Sequence, residues 1–449
     1  MKAFLSRIHA KLGDLWWYTI LLFAAQRFGD FINMFVGLWI VPKYVPMEEL
    51  GAVLPLTSVV SVIGIPLSIV AIPFLKFIAV FAEKKEFGKA KALIRDTFIG
   101  TGAFAVLSIL IAHFILPFFF ERLRVQSGSL AFLLVAVTVL SAVSCVFGNA
   151  VTALKLFKES VWFQAAAAPL RLLLMAVFMP FRALSGYVVG GSAGPMVSVV
   201  GSFFALRKFW RSSGNAQPYW REYRSAIWRY TWPLVVMTVV GAVTGNMDML
   251  VVRHRLCDFE SAGYYMITRF SDISLQLGSA FVAFLMPLLA AHDGDDAEAR
   301  RMTGHSVCGV LAVGLLLSGL LAAVGRPLLS ARGEWAPYAS LTPHMVALAL
   351  NGAVGTASAC ITTAFVARGR FSFLWYALTI GVVKSVVLYA LTGYAFFAGM
   401  VPEPWLQTVA AFDPNRLSVV ILIISVANLL TLALLCGQAF GPRLKSRVT

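Results

Sequence analysis

The sequence predicts an all-α, polytopic membrane protein with about twelve transmembrane helices, arranged as two six-helix lobes around a central cavity. Three observations lead there. The 449 residues are 59% hydrophobic and only 13% charged, with a mean hydropathy of +0.81, which excludes a water-soluble globule. Apolar runs of the ~20 residues that one span requires recur along the whole chain. Finally, the polar-spotted helix pair Thr231 to Leu289 has a weaker copy. Glu48-Glu-Leu-Gly51 stands 212 residues before Glu260-Ser-Ala-Gly263, and each copy is followed by an apolar helix that ends near a proline, Pro73 or Pro287. Internal repetition of this kind marks transporters built from two lobes.

The first expected span, Trp16 to Val41, carries Gln26, Arg27, Asp30 and Asn33 within an arc of about 120° at helical spacing. Arg27 and Asp30 stand at the i,i+3 spacing of a helical ion pair, which reads either as glue between helices or as part of a cavity wall. The second span, Gly51 to Phe81, is apolar up to Pro73 and Lys76, whose long stem can snorkel to the headgroups. The third and fourth, Thr97 to Phe120 and Leu130 to Leu154, hold little beyond Asn149 and His113, the histidine being expected as a packing residue. In the fifth, Val161 to Phe181, Arg171 lies near mid-span with no acid within a turn. Such a charge costs roughly 2.5 to 3.5 kcal/mol at a bilayer centre and usually faces a bundle interior or cavity. The sixth, Gly186 to Leu206, closes an N-terminal lobe of residues 1–206. A polar linker, 207–229, follows and leads to the C-terminal lobe, 230–449.

The seventh span, Trp232 to Val252, ends at Asn246-Met-Asp248 and a basic turn, Arg253-His-Arg255. The eighth, Gly263 to Ala290, gathers Arg269, Asp272, Gln276 and Ser279 within about 80°. The acidic loop Ala291 to His305 lacks the alternating ligands and closing glutamate of a calcium loop, and reads as a solvated turn. After the ninth span, Ser306 to Val324, the tenth, Pro343 to Ala367, is rich in small and hydroxyl residues that let helices approach closely. The eleventh, Phe371 to Phe397, places Lys384 near its midpoint, again without a local acid, and the twelfth is Leu417 to Ala439.

Basic residues fix the expected orientation. Of the 37, 23 fall on the side of the N-terminus and 9 on the other, the remaining five being Arg27, Lys76, Arg171, Arg269 and Lys384 inside spans. Lys and Arg favour the cytoplasmic side, so both termini are expected there, in a bacterial cytoplasmic membrane. Met1 to Asp14 reads as a cytoplasmic lead-in and not as a removed signal. The five cysteines are far apart and imply buried packing without a disulfide or metal site. No cofactor is implied, and the net charge of +16 reflects a membrane-facing distribution and not nucleic-acid binding.

Val41-Pro-Lys-Tyr-Val-Pro-Met-Glu-Glu-Leu-Gly51, with Leu50 in place of an aromatic, resembles the first outer turn of a known family, and Trp232-Pro233 to Asp248 with Gly263-Tyr264, Arg269 and Pro287 resembles its seventh and eighth helices. The family is the polysaccharide transporter branch of the multidrug/oligosaccharidyl-lipid/polysaccharide exporter superfamily. The resemblance implies a flippase that moves a polyprenyl-pyrophosphate-linked oligosaccharide across the membrane by alternating access. It points to Asp248 and Arg269, and to Arg171 as a position where relatives often carry a base; Lys384 matches no motif and rests on physics alone.

The expected substrate site is Arg27, Arg171, Arg269 and Lys384, which supply donors for a pyrophosphate. Asp30, Asp248 and Asp272 are expected in charge pairing or in coupling to H+ or Na+. Expected partners are the lipid-linked glycan, membrane lipids and a polysaccharide polymerase. An ion-coupled multidrug exporter of the same superfamily is the alternative, and would favour a cavity dominated by acids. A membrane-embedded glycan polymerase or glycosyltransferase is the alternative from another class. Such an enzyme needs charged groups on a sizeable outer loop, and the longest here, Ala398 to Arg416, offers Glu403, Asp413 and Arg416 only, so no enzyme is expected.

Overall fold

A computed structural model of the chain describes residues 21 and 24–440, apart from 123–127, 155, 213, 292–295, 368–369 and 393–415. The expectations for the lead-in Met1 to Asp14, the centre of the acidic loop, most of the loop Ala398 to Arg416 and the basic tail lie outside the described residues. Among the described residues every regular element is helical. The protein is an all-α membrane protein. Nine helices among the described residues are long and apolar enough to cross a bilayer by themselves. Side chains on them that water would penalise are displayed outward: Phe114 is 76% and Leu316 75% exposed, as lipid-facing positions require.

The other three expected spans take distinct forms. α1 is helical over 24–35, widens into a π turn at Val36–Ile40 and finishes as Val41–Tyr44. The second span is two helices, α3 (Val53–Ile63) and α4 (Ile65–Glu83), broken at Gly64. Pro66 lies in the first turn of α4, where its missing N–H costs no intrahelical hydrogen bond. The eighth span is the unbroken α11 (Asp258–Ala291).

The chain divides into two compact units, residues 1–46 with 56–239, and residues 47–55 with 240–449. In the first unit, α5 (Phe87–Arg122), α6 (Gly128–Ala153), α7 (Phe157–Phe178), α8 (Ala183–Gly191) and α9 (Ala193–Ser212) follow α4. Its apolar base is built on Phe77, Phe81, Ile94, Val146 and Leu206, all buried, and is completed by Tyr219. The expected linker 207–229 is largely helical: α9 runs to Ser212 and α10 (Trp220–Arg255) starts eight residues later.

In the second unit, α11 packs on α13 (Thr342–Ala367), which also meets α12 (Asp296–Ser330) and α15 (Arg416–Phe440), while α14 (Phe373–Thr392) packs on α15. Two hydrogen bonds one heptad apart register α13 against α15, His344 Nε2 with Ser418 Oγ at 2.8 Å and Asn351 Nδ2 to Ser425 Oγ at 2.7 Å. The expected close approach of the tenth span is met where Gly314 faces Ala353: a Cβ on the glycine would collide with that side chain. Cysteine packing departs from expectation. Cys360 is buried, but Cys257 and Cys308 are exposed, Cys257 because it sits in the turn between α10 and α11.

Candidate functional site

In the first unit the polar face of α1 is turned toward α7. Gln26, Asp30 and Asn33 line a cavity of about 300 Å³ with Gln164 and Arg171, which is at the lower bound for a small-molecule site. Arg27 Nη2 and Asp30 Oδ2 pair at 3.1 Å, as their i,i+3 spacing requires. Arg171 Nη1 donates to Asn33 Oδ1 at 2.7 Å, and its guanidinium lies 5.9 Å from the Tyr187 ring centroid. Its Nε is buried without an acceptor among the described residues. Arg171 is held by an amide and an aromatic ring and makes no ion pair with a described residue, although Asp30 lines the same cavity.

In the second unit Arg269 and Asp272 repeat the first pair, Nη1 to Oδ2 at 3.0 Å, and the guanidinium stands 5.3 Å from the Tyr265 centroid. Asp248 is not the partner of Arg269, the in-span cation on the adjoining helix. Its Oδ2 accepts from the Tyr264 hydroxyl at 2.7 Å, and its Oδ1 is buried with no donor among the described residues. Asp272, one turn after Arg269 on the same helix, takes the guanidinium first. Lys384 is half-buried on α14 and makes no ion pair with a described residue. The turn of helix before it packs on α10, where Thr244 fills the space that a side chain on Gly381 would need.

The turn between α10 and α11 is clamped. Arg253 is 2% exposed; its Nη1 bonds Asp258 Oδ1 at 2.9 Å and its Nη2 donates to the Glu48 carbonyl at 2.8 Å. The short helix α2 (Met47–Leu50) thus belongs to the second unit, resting on α11. Ser261 Oγ donates to the Gly51 carbonyl at 3.3 Å, and a Cβ on Gly51 would collide with that serine. The two glycines of the sequence repeat are each held by close approach, Gly51 against Ser261 and Gly263 against Leu341.

No family model and no curated protein matches the chain. Solved structures do. An inward-facing multidrug resistance transporter of the MATE family, in the MOP superfamily, superposes with a TM-score of 0.68 at 12% identity, over 94% of this chain and 98% of its own. The chain has the MOP transporter fold. The lipid II flippase MurJ, in an inward closed conformation, shares that fold with a TM-score of 0.59 at 12% identity, over 94% and 87% of the two chains. A MOP superfamily transporter from Pyrococcus furiosus, whose reversed pocket polarity is said to suggest a different function, gives 0.60 at 12% over 96% and 97%.

Within this fold, sequence reasoning brought Arg27, Asp30 and Arg171 to one unit and Asp248, Arg269, Asp272 and Lys384 to the other. It missed Tyr264 as the partner of Asp248, and it counted Arg253 as a loop charge when it is the largest fully buried side chain. One signal went unused. Arg27-Phe-Gly-Asp30 and Arg269-Phe-Ser-Asp272 are the same tetrapeptide but for one small residue, and both form the same ion pair.

Proposed function

We propose that this protein is a flippase that carries a polyprenyl-pyrophosphate-linked oligosaccharide across a bacterial cytoplasmic membrane, by alternating access of lobes 1–206 and 230–449 about the linker 207–229. The observation that carries the proposal is Arg171, which lines a polar cavity, makes no ion pair with a described residue and keeps one buried donor unused. A fixed cation held in a low-dielectric site favours an anionic ligand, and a guanidinium suits phosphate oxygens. Arg27 and Arg269 contribute less than Arg171 and Lys384, since each already has its own aspartate. The MOP fold, shared with a lipid II flippase, supports the reading. Membrane lipids and a receiving polysaccharide polymerase are the partners, both termini face the cytoplasm, and the protein is not an enzyme.

One observation favours an ion-coupled exporter as the second reading. Asp248 keeps a buried, unused acceptor beside Tyr264, as a proton or sodium site would. The two readings separate in one experiment. Arg171→Ala and Lys384→Ala should express normally yet fail to complement a flippase-deficient strain, with Arg171→Lys retaining more function than Arg171→Ala. Full complementation by both alanine variants would put the exporter first. Reporter fusions at Asn215 and Thr449 should both read cytoplasm, and an external signal at either would overturn the orientation.

A further inference from the structure

Four cations of the first unit are consumed by internal contacts. Lys84 Nζ bonds the Tyr223 hydroxyl at 3.2 Å, Lys89 bonds Glu222 at 2.6 Å, and Lys91 reaches the carbonyls of Trp210 and Gly214 at 3.0 and 2.8 Å. Arg95 bonds Asp96 at 2.9 Å. Burial, with the Asp96 carboxylate second, pushes the neighbouring Tyr219 phenol up to about 12. The first three turns of α10 carry three cations that are not so consumed. Arg221, Arg224 and Arg229 are exposed and make no hydrogen bond or ion pair with a described residue.

Two of these arginines, Arg221 and Arg224, share their side of the helix with large aromatics. At about 100° per residue, Trp220, Arg221, Arg224, Trp228 and Trp232 fall within about 120°, and the three tryptophans are 52%, 63% and 57% exposed. Trp228 and Trp232 stack at 6.2 Å. The opposite side is pinned to the unit: Tyr223 meets Phe81 edge-on at 4.9 Å, and Lys76 Nζ lies 3.6 Å from the Tyr230 centroid. The helix therefore cannot rotate its outer face inward. That face opens at its start onto a cavity of about 810 Å³ whose wall includes Arg95, Trp220 and Arg221.

Depth suits a lipid. Trp220 and Trp232 are separated by roughly 18 Å along the helix, more than the roughly 6 Å of one headgroup layer. A stripe that is cationic at one end and purely aromatic at the other matches one phospholipid from phosphate to acyl chain. We propose that this face binds an anionic phospholipid of the inner leaflet, its phosphate between Arg221 and Arg224 and its chains along Trp228 and Trp232. The leaflet rests on the orientation proposed above, but retention of the lipid does not depend on transport, so the two ideas fail separately.

The test is native mass spectrometry of the full-length protein, purified with equal mole fractions of phosphatidylglycerol and phosphatidylcholine. The wild type should retain phosphatidylglycerol preferentially. Arg221→Gln with Arg224→Gln should weaken that preference by about fivefold for each arginine removed. Arg300→Gln with Arg301→Gln, which removes the same charge from α12, should not. Trp228→Ala with Trp232→Ala probes the same site from its apolar end and should lower retention of phosphatidylglycerol without touching a charge. Equal retention of the two lipids by the wild type would overturn the proposal, and so would equal losses in the two charge-matched variants or full retention by the tryptophan variant. Retention of added polyprenyl pyrophosphate in place of phosphatidylglycerol would assign the face to the substrate and overturn it as well.

Discussion

Each unit holds an arginine and an aspartate one turn apart, joined at 3.1 Å in the first and 3.0 Å in the second, with nearly the same exposure. Nε of each paired arginine is left over in both units, and what differs is the further polar atom. The first unit adds a donor, Nε of Arg171, in a cavity lined by amides and by Asp30; the second adds an acceptor, Oδ1 of Asp248, beside a tyrosine hydroxyl. A donor kept dry awaits an anion, and an acceptor kept dry awaits a proton or a small cation. Matching ion pairs are thus set into unlike surroundings.

The comparison breaks first at Asp248. Asp248→Asn should abolish the response of transport to an H+ or Na+ gradient, whereas Arg171→Ala should lower transport at every gradient. If Asp248→Asn left transport and its gradient dependence intact in vesicles, the second unit would lose its assigned role. A smaller effect is expected at the Arg253 clamp of the second unit. Arg253→Ala removes two hydrogen bonds from a charged group and should cost on the order of 2 to 4 kcal/mol, read as a lowered unfolding midpoint. An unchanged midpoint would mean that the Asp258 and Glu48 contacts add nothing to water's own.

Gly51→Ala should follow at about 1 to 3 kcal/mol from overpacking. Ser261→Gly in that background should restore part of the loss, because the serine side chain supplies two of the three atoms that the new methyl would meet. Absence of rescue would place the strain in the backbone. Smallest of all are the matched pairs. Double-mutant cycles on Arg27 with Asp30 and on Arg269 with Asp272 should each give a coupling of about 0 to 1 kcal/mol. Couplings that differ by more than the whole of that range would show the two pairs to be unlike, and would sharpen which one also touches substrate.

Much of this was legible in the chain, for identifiable reasons. Hydropathy locates spans because lipid forbids unsatisfied backbone, and Arg171 stood out because a helical neighbourhood without acids is a local property. The pairs Arg27 with Asp30 and Arg269 with Asp272 follow from helical spacing alone. The partner of Asp248 does not, since Tyr264 reaches it across a turn whose angle no periodicity encodes. Arg253 was hidden for the same reason: a long side chain near a loop can end in solvent or under a carbonyl 205 residues away. The break at Gly64 was legible and overlooked, Pro66 being its signal.

The π turn at Val36–Ile40 has a consequence of a mechanical kind. It follows directly on the polar stretch of α1, three residues after Asn33. A π turn accommodates one residue more than an α turn, so closing it to regular helix would rotate one side of α1 against the other by about 100° without breaking the rod. The first helix thus holds one residue of slack just beyond Asp30 and Asn33.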